Sequence, residues 1–156
     1  MEKIVYLCAN KYIIVEFYTC KMRKFIEFFK RDRFAVMAGA ELLEVREGYA
    51  KARMLITSQH LNGGDVCQGG ALFTLADLAF AAAVNSHLKL TFSTTSSITF
   101  VRSVAKGYVY AEANEIVNHH RMPFGEVRIT DEQGNLVAVF TSSGYRKDIH
   151  IDTLQA

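Results

Sequence analysis

Between Gly69 and Ser86 the chain reads GGALFTLADLAFAAAVNS, and Asp77 is the only charged residue in it. The rest is apolar on nearly every side of a helical wheel, the pattern of a helix covered all round. A carboxylate there loses solvation worth several kcal/mol unless something compensates. The residue types fit general-base or nucleophilic chemistry, which needs an ionised carboxylate in a partly dry site. A purely structural reading stands beside it: a buried acid held by a local hydrogen bond or by an arginine of a partner chain. Gly69 and Gly70 open the helix. Helix starts carry unpaired N–H groups and a partial positive charge, and glycine lets a ligand approach the backbone. Such a start suits the oxygen that turns negative during acyl transfer, although an ordinary glycine-rich helix start has the same sequence. A dinucleotide fingerprint G-x-G-x-x-G does not fit.

The elements that must position these groups follow from periodicity. Taken at ~100° per residue, Leu72, Leu75, Ala76, Ala79 and Ala83 share one face of a helix spanning about 69–87, and Thr74, Asp77 and Ala81 lie roughly opposite. Asp77 can therefore face a cleft or a partner. Ala40 to Thr57 has strand character with a turn at Gly48, and Ala50, Ala52, Met54 and Ile56 alternate with Lys51, Arg53 and Leu55. SQHLNGGDVCQ (58–68) is a loop. Four strand-like runs follow the helix, at 91–101, 107–118, 122–130 and 136–146. The loop DEQGN gives a hairpin. The gaps are too short for crossover helices, so the strands are expected to be largely antiparallel. Residues 22–31 form a short amphipathic helix whose lysines and arginines are a solvated face. Residues 1–20 allow two readings: short strands or one hairpin at Val5–Leu7 and Tyr12–Phe17, or an upstream extension with Met22 as the natural start. The expected division is an N-terminal extension at 1–21, one domain at 22–150 and a tail at 151–156.

Bulk properties narrow the function classes. The 156 residues fit one domain, half of them are apolar and 22% are charged, which describes a globular protein. A net charge of +2 without basic runs argues against nucleic acid. Three cysteines, Cys8, Cys20 and Cys67, form no C-x-x-C pair, and a reducing cytoplasm is the simplest compartment. No signal-peptide core and no transmembrane span is expected. Cys67 lacks a histidine placed to activate it. His119 and His120 are adjacent, so on a strand they point to opposite sides, and no acid or cysteine set completes a metal site. His87 is isolated, and His60 reads as a loop anchor.

The stretch from His60 to Asp77, HLNGGDVCQGGALFTLAD, resembles the hot-dog-fold acyl-CoA thioesterases of the phenylacetate-pathway type. Their pattern is H-x-N, five residues, H-G-G, then an acid eight residues after the first glycine. Here it gives Asn62, Gln68–Gly69–Gly70 and Asp77. Ser93 to Arg102 and GNLVAVFTSSGYR resemble the family's later strands, and the resemblance spans about 34–147. It implies an α+β hot-dog fold, a curved antiparallel sheet wrapped around a long central helix. It implies a homodimer or homotetramer with sites at the subunit interface, acyl-CoA as substrate, and no metal or other cofactor. Asp77 would attack the thioester or activate water. The Gly69 amide would polarise the carbonyl, with Gly70 beside it on the substrate, and Asn62 would orient water or the carbonyl. Ser93 or, one residue on, Thr94 would hold water. Arg102, Lys106, Arg146 and Lys147, near strand ends, are candidates for the coenzyme phosphates. Gln68 stands where the family usually has histidine. Glutamine replaces a hydrogen-bonding role but not a proton-transfer one, so a non-catalytic acyl-CoA-binding protein on the same fold is the alternative. A hydratase would want a histidine paired with an acid.

Overall fold

The computed structural model describes residues 25–151. The expectations for 1–24 and for 152–156 lie outside the described residues. Residues 25–29 are helical, as the amphipathic pattern of 22–31 requires, and a second short helix that the pattern did not reveal, α1 (Arg33–Met37), follows at once. Then come β1 (Ala40–Arg46), β2 (Tyr49–Ile56), a 3-10 turn (Ser58–His60), the long helix α2 (Gly69–Asn85), β3 (Lys89–Phe100), β4 (Gly107–Val117), β5 (Phe124–Asp131) and β6 (Leu136–His150). The six strands form one curved antiparallel sheet in the order β1-β2-β4-β5-β6-β3. Gly48, at φ 68°, closes the β1–β2 hairpin where the sequence predicts a turn.

The sheet wraps α2 because its inward residues are small. Ala50, Ala52 and Met54 on β2 and Val109, Ala111 and Ala113 on β4 are buried, and they face a helix whose Leu75, Ala76, Ala79, Ala82 and Ala83 are fully buried as well. Alternation of inward and outward residues along each strand is what a half-buried sheet demands. Larger groups fill the far side. Phe140 stacks edge-on against Phe73 at 5.1 Å and lies 6.2 Å from Phe80. Gly125 makes room for Phe80, since a β-carbon there would lie 3.1 Å from the ring and 2.7 Å from the Asn114 carbonyl.

Several boundaries differ from the pattern, and β3 starts at Lys89, two residues early. β5 starts at Phe124 and not at 122, because Pro123 has no N–H to give to a ladder. β6 runs to His150, four residues past the expected end, where it pairs with Lys89 at the start of β3. Within the described residues no helix is long and apolar enough to cross a membrane.

The candidate active site

α2 is not covered all round. Phe73, Thr74, Asp77 and Ala81 stay partly exposed along one stripe, while the other faces are buried in the sheet. The sheet thus leaves open the side of the helix that carries the acid. Asp77 opens into a cleft of about 900 Å³ whose walls include Phe28, Phe29, Leu90 and Phe92. The Ser93 hydroxyl donates to Asp77 Oδ1 at 2.8 Å. No cation among the described residues is ion-paired with Asp77. Loss of solvation pushes its carboxyl above the ordinary carboxylate range; the Ser93 hydrogen bond pulls it back, and the nearby Asp32 adds to the rise.

The register that presents Ser93 to Asp77 is set four and eight residues further along the same helix face. Asn85, almost fully buried, accepts from the Thr91 N–H at 2.7 Å and donates to the Thr91 carbonyl at 2.9 Å and to the Ala81 carbonyl at 2.9 Å. Its amide thus stands in for a neighbouring strand and pins the start of β3 to the end of α2. A bulge between Ser93 and Thr95 then separates the two hydroxyl candidates: Thr94 turns away and donates to the Ser143 carbonyl at 3.0 Å.

The helix start is built by Gln68. Its backbone is extended at φ −65° and ψ 134°, and its side-chain oxygen accepts from the amides of Gly70 and Ala71. It is an N-cap, satisfying two of the donors that a helix start leaves open. The Gly70 amide is therefore occupied, whereas the Gly69 amide has no acceptor among the described residues. A β-carbon at Gly69 would lie 2.7 Å from Phe100 Cζ, so the ring reaches over the bare helix start. The loop ahead of it is braced by Asn62, whose side-chain oxygen accepts from Gly64 N at 2.8 Å and whose backbone pairs with Val66. Asn62, Gly69, Phe100 and Arg102 line a second cleft of about 440 Å³. His60 anchors the loop: Nδ1 accepts from the Thr57 amide at 2.9 Å, which leaves Nε2 to donate to the Ala38 carbonyl at 3.0 Å.

The structure does not bring Gly69 and Asp77 together within one chain. Eight helical residues separate them by ~12 Å along the axis, and they open into different clefts. Arg102 and Lys106 are exposed at the Gly69 end, and Lys147 is exposed over the Phe92 ring at the Asp77 end. Arg146 is a correction. It is 4% exposed and cannot meet a phosphate: its guanidinium bonds Glu115 at 2.7 Å, Asn118 at 2.6 Å and the carbonyls of His119 and Val84. The other Glu115 oxygen holds His87 Nε2, so the isolated histidine has a buried partner. Burial pushes the Cys67 thiol up, against a role as nucleophile. His119 and His120 are exposed, their rings tilted against each other at 4.3 Å, and no group of three metal-ligating side chains occurs among the described residues. Asp32 is the site residue that the sequence reading missed; it sits among lysines and arginines that read as a solvated face.

Comparison with known proteins bears on this geometry. Residues 64–138 match the family model of the thioesterase superfamily. A protein of Archaeoglobus fulgidus that carries a provisional esterase name is 37% identical over 76% of this chain and 77% of its own length. The acyl-coenzyme A thioesterase PaaI of Escherichia coli is 33% identical over 76% of this chain and 85% of its own. The solved structure of the E. coli PaaI protein from the phenylacetic acid degradation operon superimposes with a TM-score of 0.76 at 30% identity, covering 80% of this chain and 91% of that one.

Proposed function

The chain belongs to the thioesterase superfamily, as a PaaI-like hot-dog protein, and from that premise we propose that it hydrolyses an acyl-CoA thioester at a site shared by two copies. The observation that carries this reading is an unpaired carboxylate in an open cleft, held by one hydroxyl, on the same helix as an amide with no described acceptor.

The thioester oxygen accepts from the Gly69 amide of one copy, at the positive end of α2, where charge grows as the carbonyl carbon becomes tetrahedral. Asp77 of the other copy acts as base toward water, or as nucleophile toward the same carbon. Both routes need the ionised form, and a raised proton affinity makes that form a better base. The C–S bond breaks, coenzyme A leaves as thiol, and water supplies the oxygen and the proton. Ser93 holds Asp77 in place and favours its ionised form. Asn62 lines the cleft beside the Gly69 turn, within reach of the carbonyl or water. Gln68 takes part indirectly, by capping the amides next to Gly69. Arg102 and Lys106 supply the positive mouth for the coenzyme phosphates. The reaction calls on water alone, with no metal or redox cofactor.

Two features support the shared site. Thr74, Asp77 and Ala81 stay partly exposed along one stripe of α2 that the sheet does not cover. β3, twelve residues long, is an edge strand with Ser93 on it, ready to pair with a second copy. The test is thiol release from a panel of acyl-CoAs by the wild type and by Asp77→Asn. Turnover lost in the variant is expected; saturable binding without thiol release by the wild type would overturn the hydrolase in favour of a binding protein.

A further inference from the structure

The Asp77 cleft has an aromatic wall, and a second cavity shares that wall. Phe25, Phe28 and Phe29 fall on one face of the helical residues 25–29. The Phe29 ring lies 5.0 Å from Phe25 and 5.3 Å, edge-on, from Phe28, spacings at which aromatic rings hold one another in place. Phe29 is 8% exposed and lines the cleft of Asp77. It also lines a separate cavity of about 470 Å³, walled by Ile26, Leu42, Leu55, Leu78 and Tyr108. We propose that Phe29 is a specificity-determining residue that limits the length of the acyl group: the ring stops a chain that enters at Asp77, and the second cavity is the room a longer chain needs. The wild type then favours compact acyl groups. The proposal deepens the thioesterase reading and rests on it for its consequence in catalysis.

Both spaces suit hydrocarbon. Phe28, Phe29, Leu90 and Phe92 make the apolar part of the Asp77 cleft, while Lys30, Arg31 and Arg33 on the same segment are exposed and stand at its mouth. The two charged residues on the second cavity, Lys30 and Glu41, are exposed at its rim and already paired, Lys30 with Glu27 at 2.6 Å and Glu41 with Arg53. What remains inside is aliphatic and aromatic, and the volume falls in the range of small-molecule sites, roughly 300–1,000 Å³. The two spaces are also close. Asp77 opens into one and Leu78 into the other, and consecutive residues on a helix point only ~100° apart. A chain whose carbonyl sits at Asp77 therefore reaches the second cavity within about one helix turn, provided the Phe29 ring yields. The segment that carries Phe29 lies ahead of residues 64–138, so this limit is not supplied by the residues that match the family model.

The test is the chain-length dependence of thiol release with straight-chain acyl-CoAs from butanoyl to hexadecanoyl. In the wild type kcat/KM is expected to rise about fourfold per buried methylene until the chain meets the ring, and to fall beyond that length. In Phe29→Ala and Phe29→Leu the turning point should move to longer chains. Leucine keeps most of the buried apolar surface, so the test stands even where the space left by alanine unfolds the chain. Val36 is exposed on the rim of the second cavity. Val36→Trp added to Phe29→Leu refills that space and should bring the turning point back toward the wild type. A turning point unmoved in folded Phe29→Leu overturns the proposal, as does one that Val36→Trp leaves displaced, or a wild type that goes on gaining up to hexadecanoyl. Calorimetric binding of the same panel to Asp77→Asn, with and without Phe29→Leu, gives the turning point without turnover. A wild type that releases no thiol would therefore sink the hydrolase reading while the role of Phe29 is still decided.

Discussion

Replacing Gln68 with alanine and then with aspartate separates the two jobs assigned to the start of α2. The alanine variant loses the side-chain oxygen that accepts from Gly70 and Ala71. Loss of an N-cap costs ~1 kcal/mol. With an unfolding entropy of ~2.1 cal/mol/K per residue over 156 residues, this lowers the midpoint of thermal unfolding by about 3 °C. Aspartate caps well and adds a negative charge at a helix start, so it recovers that stability. In catalysis it does the opposite. The new carboxylate would sit ~5 Å from the oxygen that becomes negative on Gly69; at an effective dielectric of ~20 this opposes the transition state by ~3 kcal/mol, a loss of about a hundredfold in kcat. Thermal unfolding at fixed protein concentration and thiol release by the same preparations give both numbers. An Asp variant as stable as the wild type and equally active would refute the argument, because no negative oxygen could then be forming beside this amide. An alanine variant with an unchanged midpoint would refute the capping role. Gln68→His tests the family's usual residue: if capping is the whole role, activity stays near that of the wild type.

Ser93→Ala removes the hydrogen bond that holds the Asp77 proton affinity down, so the acid limb of the rate profile should move to higher pH; Thr94→Ala, whose hydroxyl bonds the Ser143 carbonyl, should leave the limb in place. Asp77→Asn should unfold at a higher temperature than the wild type at neutral pH. The sign follows because the folded-state pKa lies above the unfolded one: the folded chain binds more protons between the two values, so the wild type gains stability as pH falls through that window and forgoes it above. Arg146→Leu leaves the buried Glu115 with His87 but without its guanidinium and should cost ~3–5 kcal/mol, read as a drop of about 10–15 °C in thermal unfolding, with no specific loss of coenzyme affinity. Asp77→Asn and Gln68→Asp, each inactive alone, should recover about one quarter of wild-type activity when refolded together: heterodimers are half of a random mixture, and each has one intact site. Recovery of none would place the whole site in one chain.

The fold was legible because its signals are strong and local. Ala50–Ala52–Met54 alternate, the 69–85 helix is apolar on all sides, and DEQGN turns as such a run must. Asp77 was legible for the same reason, as a lone charge where the pattern allows none. What escaped depends on long-range register. Arg146 looks like a strand end only if β6 stops there; the strand runs on to His150 and leaves Arg146 inside, with Glu115 from β4. Ser93 and Thr94 cannot be separated without knowing that a bulge falls between Ser93 and Thr95. The cap made by Gln68 was hidden because glutamine is not a usual capping residue. α1 has five residues, too few for a period to show, and its Phe34, Val36 and Met37 are exposed.

Ser93 sits on the outermost strand, so the proposed shared site would link chemistry to self-association. The margin of the sheet that offers free backbone groups to a second copy also carries the hydroxyl that steadies the acid. Under the proposed shared site a single chain is not competent, so specific activity should fall with dilution, and the rate at low abundance should scale with the square of the amount present.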